Sequence, residues 1–195
     1  DECGFGLSIL TKSDLILRDL DLLKSINRKT KCVVQITLTT HDEALCSILE
    51  PNVCTTKRRV EVLKIMHEEG IPTVVWMTPI LPLINDTEEN VRGLLDDCIK
   101  SNVHGILCFN MGLTLRDGDR QYYYKQLDKH FPGLRYQYMK RYGNAYIIPS
   151  PNSPKLLQIV QTVCEEHGML CDTNAIFTYM STFEEKETAK QLKLF

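Results

Sequence analysis

The stretch TPILPLINDTEEN, Thr78 to Asn90, follows the apolar run Ile71 to Met77 and carries two prolines three residues apart before it turns to Asn85, Asp86 and Thr87. The run before it lacks helical period, as a buried strand does, and Asp86 with Glu89 three residues later is a capping-box pattern that opens a helix over Thr87 to Lys100. A plain strand-to-helix connection needs only a cap. Two rigid residues and a polar pair at the end of a buried strand therefore point to a loop that faces something.

Outward from this unit the same order repeats. Phe5 to Leu10 reads as a strand, Leu15 to Ile26 as a helix with one buried face, and Cys32 to Leu38 as a second buried strand ending in Thr39, Thr40 and His41. A short helix is expected over Asp42 to Leu49, closed by Glu50 and Pro51, and a longer one from Thr56 through Met66, with Gly70 at its left-handed C-terminal cap. Gly105 to Asn110 is the fourth strand, followed by a polar loop, Gly112 to Gly118, and an aromatic-rich helix around Tyr122, Tyr123 and Tyr124. Pro132 and Gly133 break the pattern; Ser153 and Pro154 start an amphipathic helix to His167, capped by Gly168, and the apolar runs Met169 to Cys171 and Ala175 to Tyr179 precede a charged tail. Strands alternating with helices at roughly 30-residue spacing predict right-handed βαβ units, a parallel sheet and the α/β class. Chemistry in such sheets collects at the carboxyl ends of the strands. The residues to weigh are Lys12 and Ser13, Thr37 to His41, Thr78 to Asp86, and Asn110 to Arg116.

The 195 residues fit one domain over residues 1–180 and a charged tail, 181–195. Twenty-three basic and 25 acidic side chains leave a formal net charge of −2, so no global positive field gathers nucleic acid, and any such site must be a local patch. No apolar segment approaches the roughly 18 to 20 residues of a membrane span, and no signal-peptide pattern is present, so a cytoplasmic protein is expected. The eight cysteines are spread through apolar runs, the usage of a reducing compartment, and no pair has metal-cassette spacing. The five histidines show no ligand spacing either, so no metal is assigned to this chain.

Four stretches, TKSDLILRDLDLL (Thr11 to Leu23), ITLTT with LEP (Ile36 to Thr40, Leu49 to Pro51), RRVEVLKIMHEEGIP (Arg58 to Pro72) and TPILPLINDTEEN, together resemble the radical S-adenosylmethionine proteins of the spore photoproduct lyase-like group, also described as DNA repair photolyases. The resemblance runs from about Phe5 to Tyr179 with the motifs in the group's order. It implies a partial (β/α) barrel whose four main strands are later strands of a six-stranded one, plus C-terminal helices. It implies S-adenosylmethionine and a [4Fe-4S] cluster as cofactors, a 5′-deoxyadenosyl radical, and repair of thymine-dimer lesions in DNA by a carbon–carbon lyase reaction. The group's CxxxCxxC cluster loop is absent from this sequence. The chain begins at Asp1 and enters an apolar run within a few residues, the start expected of a C-terminal portion, with the cluster loop upstream and no radical reaction by this portion alone. The alternatives are a non-catalytic binding or scaffold protein that retains part of the barrel, and a radical enzyme with another substrate.

Residue by residue, the resemblance places Lys12, with Ser13 beside it, at the cofactor carboxylate, Thr37 at the ribose with Thr39 on the same side of the strand, and Thr78 and Pro79 beside the adenine. Glu50, held before Pro51, is an orienting acceptor in this scheme, and Asn85 holds the loop. Each has a plainer reading: a solvated lysine, β-branched strand residues, a helix-end carboxylate. Asp86 reads most simply as the helix N-cap. Arg116 is a candidate for a phosphate or carboxylate, or for a surface ion pair. Lys140 and Arg141 with Tyr136, Tyr138 and Tyr142 have the composition of a phosphate-and-stacking patch for DNA, or of a solvated helix face. The ending QLKLF resembles the peptide that docks bacterial repair proteins on the sliding clamp, with Gln191, Leu192, Leu194 and Phe195 at its anchor positions. The strand Phe5 to Leu10 is expected at an exposed sheet edge, where a homodimer would cover it.

Overall fold

The computed structural model describes residues 1–183. Among them the chain runs β1 (Leu7–Thr11), a 3₁₀ helix (Asp14–Asp19), α1 (Leu20–Lys29), β2 (Cys32–Thr37), α2 (Glu43–Leu49), α3 (Thr56–Glu68), β3 (Thr73–Trp76), α4 (Glu88–Lys100) and β4 (Gly105–Leu107). It continues with β5 (Gly112–Thr114), α5 (Asp119–His130), α6 (Leu134–Tyr142), β6 (Ile147–Pro149), α7 (Ser153–His167) and α8 (Thr173–Ser181). β1 to β4 form a parallel sheet in sequence order, so the protein is α/β, with the layout of a partial β/α barrel. β1 is an edge strand, as its position in the sequence predicts.

Strand alternation divides the core. Val34, Ile36, Val75 and Ile106 face the helices, packing with Leu63 and Met66 of α3, Leu94 of α4 and Val160 of α7. The alternate residues Val33, Val74 and Leu107 meet Ile176 and Met180 of α8 on the other face. That second face turns polar toward β1: the Trp76 indole N–H donates to the Gln35 side-chain oxygen, and the Gln35 amide donates to Ser8 Oγ at 2.8 Å. The run Met169 to Cys171 adds to the sheet only by a bridge. Ile106 N–H donates to the Leu170 carbonyl at 2.8 Å, and a Cβ on Gly105 would stand 2.9 Å from that carbonyl oxygen.

Several boundaries differ from the sequence reading. The first helical stretch is a 3₁₀ turn capped by Ser13, whose hydroxyl accepts from Leu15 N–H, and only then an α-helix. Gly70 has φ 68, the left-handed cap expected. Asp86 is not the N-cap of α4: Thr87 is, its hydroxyl accepting from Asn90 N–H at 3.2 Å. The stretch read as a polar loop contains β5, which pairs antiparallel with β6 and anchors a helical insert on its own small core of Leu115, Tyr124, Leu127, Leu134, Tyr138 and Ile148. The ending QLKLF lies outside the described residues.

α8 is fixed at the amino end of the sheet by His104, whose ring stacks on Tyr179 at 3.7 Å between centroids, with Lys31 Nζ 3.5 Å from the centre of the Tyr179 ring. His104 Nε2 is buried without a partner. Burial, and then the Lys31 charge, hold the imidazole below its ordinary value of 6.5. Between the lowered folded value and the unfolded value of about 6.5 the unfolded chain binds more protons, so stability rises with pH across that window and is lost as pH falls through it. Urea midpoints measured from pH 7.5 down to 5 should fall, and His104→Phe should flatten that part of the profile; an unchanged slope in the variant would assign it elsewhere.

Candidate functional site

At the carboxyl end of the sheet, the loop 78–86 is tied down from both sides. Asn85 is 1% exposed; its side-chain oxygen accepts from Leu81 N–H, and its amide donates to the Thr39 carbonyl at 2.8 Å and to Thr40 Oγ1 at 3.1 Å. The Asn90 amide donates to the Thr39 and Asn85 carbonyls, both at 2.9 Å. Asp86 is buried and joins the loop to the insert: Oδ1 accepts from Leu83 N–H at 2.7 Å and Oδ2 from Ser150 Oγ at 2.6 Å. The Tyr138 hydroxyl donates to the Pro82 carbonyl. The loop therefore connects two cores, which is the physical reason it needs more than a cap.

Between the loop and α5 lies a cavity of about 660 Å³, within the range of small-molecule sites. On the sheet side it is lined by Lys12, Thr39, Glu50, Pro79 and Asn85, and on the insert side by Tyr122, Tyr123, Gln126, Lys129 and His130. Five residues named from the sequence thus meet around one space. Three do not reach it. Ser13 caps the 3₁₀ turn; Thr37 is buried, its carbonyl accepting from Arg59; Thr78 lines an adjoining cavity of about 570 Å³ with Phe109 and Asn110, which meets the first at Pro79 and Leu113. Arg116 is exposed and donates to the Tyr146 hydroxyl at 3.4 Å, away from both cavities.

The electrostatic centre of the site is a group of three side chains. Lys12 Nζ donates to Glu50 Oε1, and Glu50 Oε2 stands 2.7 Å from Arg59 Nη1. Arg59 is 1% exposed, its Nε donating to the Cys54 carbonyl at 2.8 Å and Nη1 to the Thr37 carbonyl at 3.0 Å. The Arg59 Nη1–Glu50 Oε2 approach pairs the charges but falls outside hydrogen-bond geometry, so Glu50 Oε2 is buried without a hydrogen-bond partner, and Arg59 Nη2 is buried without one as well. Cys54 Sγ, 3.0 Å from the Lys12 carbonyl, ties the same loop to β1. Arg59 escaped the sequence reading, although it sits with Leu63 and Met66 on the buried stripe of α3, where a charge is unusual.

The stacking patch is corrected. Tyr138 is fully buried and Tyr142, partly buried, donates to the Pro149 carbonyl at 3.0 Å, which leaves Tyr136, Lys140 and Arg141 exposed on α6. Burial pushes the Cys32 thiol up to about 11 and those of Cys108 and Cys164 to about 12, so these side chains rest as protonated thiols packed in the core. Among the described residues no three Cys, His, Asp or Glu side chains gather as a metal-holding group.

No family model matches the chain. It is 28% identical over 169 residues to an uncharacterized protein of Mycobacterium tuberculosis, covering 87% of this chain and 49% of that protein. An uncharacterized protein of Methanocaldococcus jannaschii is 38% identical over 82 residues, 42% of this chain and 30% of that protein. One of Acidianus two-tailed virus is 35% identical over 97 residues, 50% of this chain and 31% of that protein. The chain spans about half the length of the mycobacterial relative it matches. Among solved structures, Streptococcus suis SuiB bound to S-adenosylmethionine aligns with TM-score 0.39 and 17% identity over 63% of this chain and 28% of that one, a likeness too slight to bear on function. No described helix is long and apolar enough to cross a membrane.

Proposed function

We propose that this chain supplies the S-adenosylmethionine-binding wall of a radical enzyme. The observation that carries the reading is the Lys12–Glu50–Arg59 group at the cavity: one carboxylate shared by two cations leaves a net positive charge, with unpartnered buried polar atoms beside it. Those residues fit a ligand that brings a carboxylate. Lys12 takes the cofactor carboxylate, Asn85 and Thr39 hold the polar edge of the wall, and Pro79 presents its backbone to the adenine. Bound and reduced, the cofactor supplies hydrogen-atom abstraction from carbon. Among the described residues no three potential metal ligands gather, and in this reading the cluster of the whole protein is held by residues outside them.

In the finer reading the whole protein acts on thymine-dimer lesions in DNA, splitting the carbon–carbon bond that links the two bases. The resemblance of the four sequence motifs supports this, and the exposed Tyr136, Lys140 and Arg141 offer a local contact for a phosphate backbone.

Isothermal titration of the whole protein with S-adenosylmethionine tests the first step. Lys12→Ala should weaken binding by roughly tenfold to a hundredfold, the loss of a charge-assisted contact. Equal affinity in the variant would remove Lys12 from the site. Turnover of a thymine-dimer oligonucleotide tests the second: release of 5′-deoxyadenosine without repair would move the enzyme to another substrate.

A further inference from the structure

Glu50 lies between two cations, and only one of them faces the cavity. The Lys12 side chain is 40% exposed and lines the space, whereas Arg59 is buried, reaching Glu50 from α3 behind it. Glu50 itself is 12% exposed, so the competition between the cations for its charge takes place largely out of water, where interactions between charges are strong. Were Glu50 paired with Lys12 alone, the lysine would be neutralised and an entering carboxylate would gain little from it. Arg59 prevents that by drawing Glu50 Oε2 toward Nη1, and its own position is fixed by the Thr37 and Cys54 carbonyls. Its Nη2, buried without a partner, is an open donor on the same guanidinium. A planar fork matches a carboxylate at two points, so Nη2 gives Glu50 a second place to bind when it leaves Lys12.

We infer that Arg59 is a positioning residue: it retains Glu50 when Lys12 turns to the carboxylate of an entering ligand, and so sets the affinity of the site for anionic groups. The inference rests on the proposal that Lys12 meets the cofactor carboxylate. Arg59 touches no ligand, and its effect passes through Glu50.

The test uses the whole protein and two probes, S-adenosylmethionine and 5′-methylthioadenosine, which keeps the adenine and ribose but has no carboxylate. Arg59→Met should weaken S-adenosylmethionine about tenfold and leave 5′-methylthioadenosine within about twofold, the selectivity of a lost charge effect. Glu50→Gln should raise S-adenosylmethionine affinity at least about twofold, because Lys12 no longer shares its charge. Adding Glu50→Gln to Arg59→Met should return affinity to within about threefold of the parent. Equal weakening of both probes by Arg59→Met, or a Glu50→Gln variant with no gain, overturns the inference, and the Glu50 arm decides it even where Arg59→Met does not fold. Lys12→Ala separates the two levels: if it weakens S-adenosylmethionine while Arg59→Met does not, only the role of Arg59 fails. If Lys12→Ala has no effect, the cofactor reading fails and this inference with it.

Discussion

Asn85→Leu should lower the unfolding free energy by about 3 kcal/mol, among the larger effects of a single polar-to-apolar change of similar size. The side chain is buried and makes three hydrogen bonds, to Leu81 N–H, the Thr39 carbonyl and Thr40 Oγ1. Leucine fills the volume but satisfies none of them. The Thr39 carbonyl keeps the Asn90 amide as a donor, so the loss concentrates on the partly buried Leu81 N–H, whose acceptor is Asn85 Oδ1, and on Thr40 Oγ1, which loses the Asn85 amide. A buried donor left alone costs about 1 to 3 kcal/mol. Because Leu81, Asn85 and Thr39 line the cavity, ligand affinity should fall together with stability. Urea denaturation measures the first and titration with S-adenosylmethionine the second. A loss under about 1 kcal/mol would mean that Pro79 and Pro82, with the Tyr138 contact, hold the loop without Asn85.

Asn85 also shows how far the sequence is legible. Its polar type at the end of an apolar strand marks the loop as special, and two of its three partners are backbone groups that any strand-end loop presents. Asp86 was misread because its neighbour Thr87 caps equally well, and the choice between them depends on Ser150, 64 residues away, which draws the Asp86 carboxylate off. The four strands and the helices α3, α4 and α7 were readable from local periodicity. β5 and β6 were not: each is three residues long, and the pairing that makes them strands joins segments about 35 residues apart. The cavity suffers the same gap. Its sheet wall follows from the rule that sites collect at strand ends, whereas its α5 wall depends on how the insert folds back. Arg59 was legible in principle, as a charge on the buried stripe of a helix, but its partner Glu50 comes from another element.

The insert's attachment rests on Gly112. Its φ is 151, a backbone conformation that side-chain-bearing residues rarely adopt, and a Cβ there would stand 2.3 Å from the Ile148 carbonyl oxygen and 3.0 Å from Pro149 Cα. Gly112→Ala therefore meets strain and collision at once, each worth about 1 to 3 kcal/mol, and neither can be relieved by turning a side chain because the obstacle is backbone. The expected result is separation of β5 from β6. Ile148, which packs with Leu115, Tyr124 and Tyr138, would lose its place, and the α5 wall of the cavity would loosen while the parallel sheet stays folded. Hydrogen exchange should show lost protection across residues 112–150 with β2 and β3 unchanged. Gly118→Ala is the matched control: φ is also positive, at 84, but no atom lies within 4 Å of the added carbon, so only the conformational part of the cost remains. Equal effects of the two substitutions would show that the close approach to Ile148 is not what joins the insert to the sheet.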